Sequence, residues 1–208
     1  MLDRTNPTVP PMSHFARNHK PLACAAAVLA LVLGWSSSAT AQEDDLLRPS
    51  ERPMFATFGL GPALGITGCG SGGCSSAASF TQFKLIQEFG YHFSGTGEGP
   101  ALGVSIAEAF GDNVYRFQPG AKFWWDIKPS DEISLYVTPS AKLGYGLFTA
   151  TSGSASLHTL NVQIGTAARM VFDDRWMAFF RPITLDTFAN DDGIAFSWDV
   201  IAGGGVTF

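Results

Sequence analysis

The chain ends with the stretch Gly193 to Phe208, which reads GIAFSWDVIAGGGVTF. Every second residue of this stretch is apolar or small, and the set is Phe208, Val206, Gly204, Ala202, Val200, Trp198, Phe196 and Ile194. The residues between them include the polar Asp199, Ser197 and Thr207. A period of two with one apolar face predicts a β-strand. Because the apolar face continues to Phe208, this strand is expected either to fill the core of a soluble β-domain or to face lipid.

The same alternation occurs seven more times upstream, over residues 54–66, 80–93, 101–110, 114–127, 133–148, 158–172 and 176–188. The segment 176–188 alternates only if a bulge at Arg181–Pro182 shifts the phase by one residue, which turns Ile183 and Leu185 outward. Prolines inside strands each remove one backbone donor, so bulges are expected at Pro62, Pro119, Pro139 and Pro182.

The faces opposite the apolar ones are rich in glycine and serine, which suits a crowded interior better than a surface in water. Aromatic residues make up 12% of the chain and gather near strand ends, as they do at membrane interfaces. An even number of strands also allows a sheet to close and leave no edge in lipid. The sequence therefore predicts an all-β fold, an eight-stranded antiparallel up-and-down transmembrane β-barrel over residues 54–208.

The N-terminus has the pattern of a secretion signal. Basic Arg17 and Lys20 precede an apolar segment over residues 22–35, and Ala39-Thr40-Ala41 forms a cleavage site. Residues 1–41 are therefore predicted to be a signal peptide, with Met1 or Met12 as the start, and residues 42–53 to be a flexible periplasmic leader. Cys24 lies at the beginning of the apolar segment rather than after it, which argues against a lipoprotein box.

The signal peptide, eight amphipathic strands and terminal Phe208 together resemble the small outer-membrane β-barrel proteins of the OmpA/OmpX type. This resemblance implies the outer membrane of a Gram-negative bacterium, a monomer among outer-membrane lipids, and recognition of Phe208 by the barrel-assembly machinery. It also implies that both termini are periplasmic. Segments 67–79, 111–113, 149–157 and 189–193 would then face outside, and segments 94–100, 128–132 and 173–175 the periplasm.

Ten charged residues are predicted to point into the barrel: Lys84, Glu88, Arg116, Lys122, Asp126, Lys142, Arg169, Arg181, Asp186 and Asp199. Arg116, Lys142, Asp186 and Asp199 are expected together in the outer half, and Lys122, Arg169 and Glu88 in the periplasmic half. Eight strands leave an interior that side chains just fill. We therefore expect a structural charge network, with the lining of a narrow channel for small solutes as the alternative.

Few residues suggest chemistry. His92 and Ser94 resemble the His-x-Ser pair of lipid A deacylases of the PagL type, with Glu98 or Glu88 as a third member. That family carries its pair near the C-terminus, so His92 is interpreted more simply as a polar residue at the mouth of the barrel interior. Cys69 and Cys74 are expected to form a disulfide in an exposed loop, since no further metal ligands lie close.

Without residues 1–41 the chain holds 10 basic and 17 acidic residues, a net charge of −7, which argues against nucleic acid. We expect no cofactor, no metal and no catalysis. The sequence thus predicts an outer-membrane barrel with a structural or surface-interaction role, with a narrow channel, or a lipid A hydrolase using His92 and Ser94, as alternatives.

Overall fold

The computed structural model describes residues 52–208 except 71–72, 76–80, 112, 131–133, 151–155 and 174. The described residues form nine strands: β1 (Met54–Gly70), β2 (Gly73–Ser75), β3 (Thr81–His92), β4 (Gly99–Gly111), β5 (Val114–Asp126), β6 (Leu135–Ala150), β7 (Ser156–Phe172), β8 (Trp176–Asn190) and β9 (Gly193–Thr207). This part of the chain has no helix long and apolar enough to span a membrane. The predicted signal peptide, with Cys24, and residues 42–51 of the leader lie outside the described residues.

Eight of these strands close into one antiparallel barrel. Each pairs with the next in the order β1-β3-β4-β5-β6-β7-β8-β9, and β9 pairs back with β1. The seam continues to the last residue, since the backbone amides of Met54 and Phe208 donate to each other's carbonyl oxygens at 3.0 and 2.9 Å. The short β2 pairs only with the end of β1 and extends it as a hairpin. The all-β, eight-stranded antiparallel barrel predicted from the sequence is confirmed.

The barrel is apolar outside and polar inside. Large apolar side chains face outward on the strands, with Leu143 61% exposed and Ile183 59% exposed, while the charged residues of neighbouring positions are buried. The terminal Phe208 also lies on the outer surface, with its ring 6.1 Å from that of Phe89. A soluble protein buries its apolar residues and exposes its charges, so this arrangement is the opposite of that in water-soluble proteins.

The register of β8 shifts between Phe180 and Ile183 against β7 and between Arg181 and Thr184 against β9, so the predicted bulge at Arg181–Pro182 is present. It turns Ile183 outward and Thr184 inward, as predicted.

The expectation of bulges at Pro62, Pro119 and Pro139 is wrong. The ladders continue in the same phase past all three prolines. A missing N–H weakens pairing on one side of a strand without inserting a residue, and Gly61 and Pro62 accordingly have no paired residue in β9. β1 instead bulges between Gly65 and Thr67, where the sequence carries no proline.

The antiparallel order gives the barrel two different ends. At one end lie the β2 hairpin and the strand ends joined by the β4–β5, β6–β7 and β8–β9 connections, and we call this the loop end. The other end holds residues 52–53, Phe208 and the strand ends joined by the β3–β4, β5–β6 and β7–β8 connections, and we call it the terminal end. The connections predicted to face outside all belong to the loop end, and those predicted to face the periplasm all belong to the terminal end. This grouping holds whichever end faces outside.

Candidate functional site

The inward-facing side chains form the only concentration of charge within the described strands, so we treat the barrel interior as the candidate site. All ten charged residues that the sequence assigns to it are buried. They come from six strands, β3, β5, β6, β7, β8 and β9, and all of them except Lys142 form three layers along the barrel.

The layer nearest the loop end is built on Lys84, whose ammonium binds two carboxylates. Its Nζ lies 2.5 Å from Asp186 Oδ2 and also pairs with Asp199 Oδ2. Side-chain amides complete the shell of Asp186, since Gln163 donates to it at 2.9 Å and Asn161 at 3.3 Å. One lysine therefore joins β3 to β8 and β9 across the interior.

Arg116 adds a second cation to this loop-end layer. Its guanidinium lies 5.0 Å from the ring centroid of Phe188 and 5.9 Å from that of Phe148. Its Nη1 donates to Ser197 Oγ at 3.4 Å, and Ser197 Oγ donates to Asp199 Oδ1 at 3.2 Å. Aromatic rings and the hydroxyl thus hold the guanidinium over the paired carboxylates.

The middle layer is centred on Glu88. Lys122 Nζ lies 2.6 Å from Glu88 Oε1, and Arg181 spans both carboxylate oxygens with Nη1 at 3.2 Å and Nη2 at 2.9 Å. The hydroxyls of Thr57 and Ser105 donate to the same carboxylate at 3.4 Å. Two cations therefore share one carboxylate here. This leaves the layer with one positive charge that no ion pair within it neutralises.

The third layer lies at the terminal end and is centred on Asp126. This carboxylate accepts hydrogen bonds from Thr138 at 2.5 Å, pairs with Arg169 at 2.7 Å and contacts His92 Nε2 at 2.6 Å. The other ring nitrogen of His92 lies 3.1 Å from the carbonyl oxygen of Pro53. His92 therefore connects the layer to the point where the chain enters the barrel.

The turn between β3 and β4 covers the terminal end of the interior. Arg169 Nη2 donates to the carbonyl oxygen of Gly97 at 3.0 Å, and Tyr136 donates to Glu98 Oε1 at 3.1 Å. Gly97 is buried by this contact. The mouth at this end is thus narrowed by a turn that interior side chains hold in place.

The expected grouping of charges differs from the observed one in the ion pair of Arg169. Lys122 lies with Glu88, but Arg169, which the sequence groups with them, forms its ion pair with Asp126. Lys142 lies within electrostatic reach of Asp186 and Asp199, as expected, but its buried Nζ has no hydrogen-bond partner among the described residues. Its backbone pairs with that of Lys122, which places two cations on adjacent inward positions.

The residues of the possible hydrolase do not form a catalytic arrangement. His92 is fully buried, with its ring nitrogens at Asp126 and at Pro53, whereas Ser94 is exposed. Ser94 Oγ donates to the carbonyl oxygen of Glu98 at 2.6 Å and contacts Thr96. Glu88 is held in the middle layer. A nucleophile needs its base within hydrogen-bond distance, and this geometry gives Ser94 no contact with His92.

Cys69 and Cys74 face each other in the register of the β1–β2 hairpin, and Cys69 is disulfide-bonded. The pairing of these two cysteines with each other stays a prediction. Within the described ranges no group of three or more His, Cys, Asp or Glu side chains is placed to hold a metal ion.

No family model matches this chain, and no curated protein matches it. Among solved structures, it is similar to Neisserial surface protein A, with 12% identity, a TM-score of 0.57, and coverage of 74% of this chain and 97% of that one. It is also similar to the N-terminal β-barrel domain of Pseudomonas aeruginosa OprF, with 16% identity, a TM-score of 0.52, and coverage of 76% and 98%. The chain therefore has the fold of the small outer-membrane barrels.

Proposed function

We propose that this chain is an outer-membrane β-barrel protein of a Gram-negative bacterium, with a structural or surface-interaction role and no catalytic activity. The observation that carries the proposal is a closed barrel whose apolar side chains face outward while ten charged side chains are buried inside. In lipid, a closed barrel satisfies every strand hydrogen bond and leaves no edge. We infer that the chain is exported with a cleaved signal peptide over residues 1–41. The barrel-assembly machinery would then recognise Phe208 and insert the barrel into the outer membrane.

The interior supports a wall-stabilising role rather than a pore. Ion pairs join side chains from strands that are not neighbours in all three layers, as between Lys84 on β3 and Asp186 on β8. An eight-stranded barrel has an interior that side chains just fill. Interaction with partners outside the cell would then fall to the segments at the loop end, which we place outside.

Cell fractionation with heat-modifiable gel migration tests this assignment. A closed barrel keeps its fold in detergent at room temperature and unfolds on boiling, so the expected result is recovery in the outer membrane with a migration shift between unboiled and boiled samples. Recovery in the soluble periplasm without a shift would overturn the proposal.

The absence of catalysis is tested separately, by the acyl pattern of lipid A in cells with and without the gene. We expect identical mass spectra, because His92 has no contact with Ser94. A Ser94→Ala variant is the control if the spectra differ. A difference that Ser94→Ala abolishes would favour the lipid A hydrolase over the non-catalytic role.

A further inference from the structure

A small cavity lies inside the barrel, between the middle layer and the terminal-end layer. Its volume is about 20 Å³, and Arg169, Arg181 and Glu88 are the charged residues that line it. Thr57 and Thr138 lie on its wall as well. A space of this size holds one water molecule or one monatomic ion.

Two unused donors belong to the residues that line this cavity. Arg181 uses Nη1 and Nη2 for Glu88, and Arg169 uses Nη1 for Asp126 and Nη2 for the carbonyl oxygen of Gly97. The Nε atoms of both arginines are buried and have no hydrogen-bond partner in the described part of the chain. A buried N–H without an acceptor is costly, so a ligand that accepts from both would stabilise the fold.

The charge around the cavity selects the ligand. Its lining carries two guanidinium groups and one carboxylate, and with their ion-pair partners Lys122 and Asp126 the sum is three basic against two acidic groups, a net charge of +1. The ten interior charges together comprise six basic and four acidic residues, an excess of two positive charges. The hydroxyls of Thr57 and Thr138 already donate to Glu88 and Asp126, so they require no second acceptor. A water molecule would satisfy the two donors but would leave the excess charge in place.

We propose that this cavity is a binding site for a single halide ion, held by the Nε–H groups of Arg169 and Arg181. The ion couples the middle layer to the terminal-end layer, because one donor comes from each. The site goes beyond the structural role proposed above, and its existence does not depend on which end of the barrel faces outward.

The test uses the mature protein folded in detergent micelles. Thermal unfolding is followed at constant ionic strength in sodium bromide or chloride and in sodium gluconate, whose anion is too large for the cavity. We expect halide to raise the unfolding midpoint in a saturable manner, by roughly 3–6 °C at ten times the dissociation constant. Crystals grown in bromide should show an anomalous peak within hydrogen-bond distance of both Nε atoms.

A matched pair of variants assigns the effect to the cavity. Ala167 lines the cavity, and Ala168 is the next residue on β7 and faces outward. Ala167→Val fills the cavity and should abolish the halide-dependent rise, whereas Ala168→Val should keep it. Equal midpoints in bromide and gluconate for the unmodified protein would overturn the proposal, as would a water molecule in place of bromide in the crystal. Retention of the full halide effect in Ala167→Val would also overturn it.

Discussion

At the scale of single residues, two buried lysines differ in whether they form a direct ion pair. Lys84 holds two aspartates, whereas Lys142 has no hydrogen-bond partner among the residues described. Removing one partner of a buried ion pair strands the other charge, and replacing an unpaired buried charge by an apolar side chain of similar length removes a desolvation cost. The two positions should therefore respond to the same substitution in opposite directions.

We expect Lys84→Met to lower the free energy of unfolding by about 3–5 kcal/mol, since it strands Asp186 and Asp199. Lys142→Met should leave that free energy unchanged or raise it by up to about 4 kcal/mol. Urea unfolding in micelles, followed by tryptophan fluorescence, measures both variants. Equal losses at the two positions would show that Lys142 has a stabilising partner as well.

The sequence predicts which residues point inward but not which of them meet. Alternation with a period of two assigned all ten charged residues to the buried face, because a one-residue shift would have exposed the whole set. Pairing depends on side chains from several walls converging at one height. Asp126 is therefore paired with Arg169, from a strand that is not its neighbour, and contacts His92, which the alternation places at the barrel mouth without indicating a partner.

At the scale of the strand, β9 shows why inward positions carry glycine. A Cβ atom at Gly203 would lie 2.2 Å from the carbonyl oxygen of Phe58 and 2.7 Å from Phe179 Cζ. At the outward-facing Gly204, the nearest atom would be the carbonyl oxygen of Met177 at 3.1 Å. The strands approach each other so closely at Gly203 that the backbone itself would have to move.

We expect Gly203→Ala to lower the free energy of unfolding by about 1–3 kcal/mol through overpacking, and Gly204→Ala to change it much less. The heat-modifiable shift on gels, measured over a temperature series, gives the midpoint for each variant. Equal midpoints for the two variants would contradict the close approach of β9 to β1.

The strand scale also shows where sequence reasoning fails. The bulge at Pro182 was predictable because the apolar phase breaks there, with Phe180 and Ile183 both outward. The apolar phase continues past Pro119, so the residue type alone predicted a bulge that is not present. The bulge between Gly65 and Thr67 was missed, since the alternation continues to Ile66 and the small residues that follow it show no apolar phase.

At the scale of the whole molecule, the barrel has two distinct ends, and which of them faces outward is a prediction. We place the loop end outside. In a Cys69→Ser/Cys74→Ser background, a Ser154→Cys variant should react with a membrane-impermeant thiol reagent in intact cells. A Thr96→Cys variant, at the terminal end, should react only after the outer membrane is permeabilised. Labelling of Thr96→Cys with protection of Ser154→Cys would reverse the orientation.

Whether the whole barrel conducts ions follows from how its three layers connect. Lys122 joins the middle layer to the loop-end layer by donating to Gln163 Oε1 at 3.3 Å, while Gln163 donates to Asp186. Arg169 binds the turn that narrows the terminal end. A water path through the barrel would have to pass each layer, and opening a layer means separating buried ion pairs.

We therefore expect the purified protein to give at most small, rare conductance events in planar bilayers. A Glu88→Ala/Lys122→Ala/Arg181→Ala variant, which removes the middle layer, should conduct more often and serves as the positive control. Asp199→Ala, which removes one anion of the loop-end layer, should lower thermal stability because Lys84 and Arg116 lose a counter-charge. Large, steady conductance of the unmodified protein, together with unchanged stability of Asp199→Ala, would favour a channel and would mean that the interior charges line a path rather than close it.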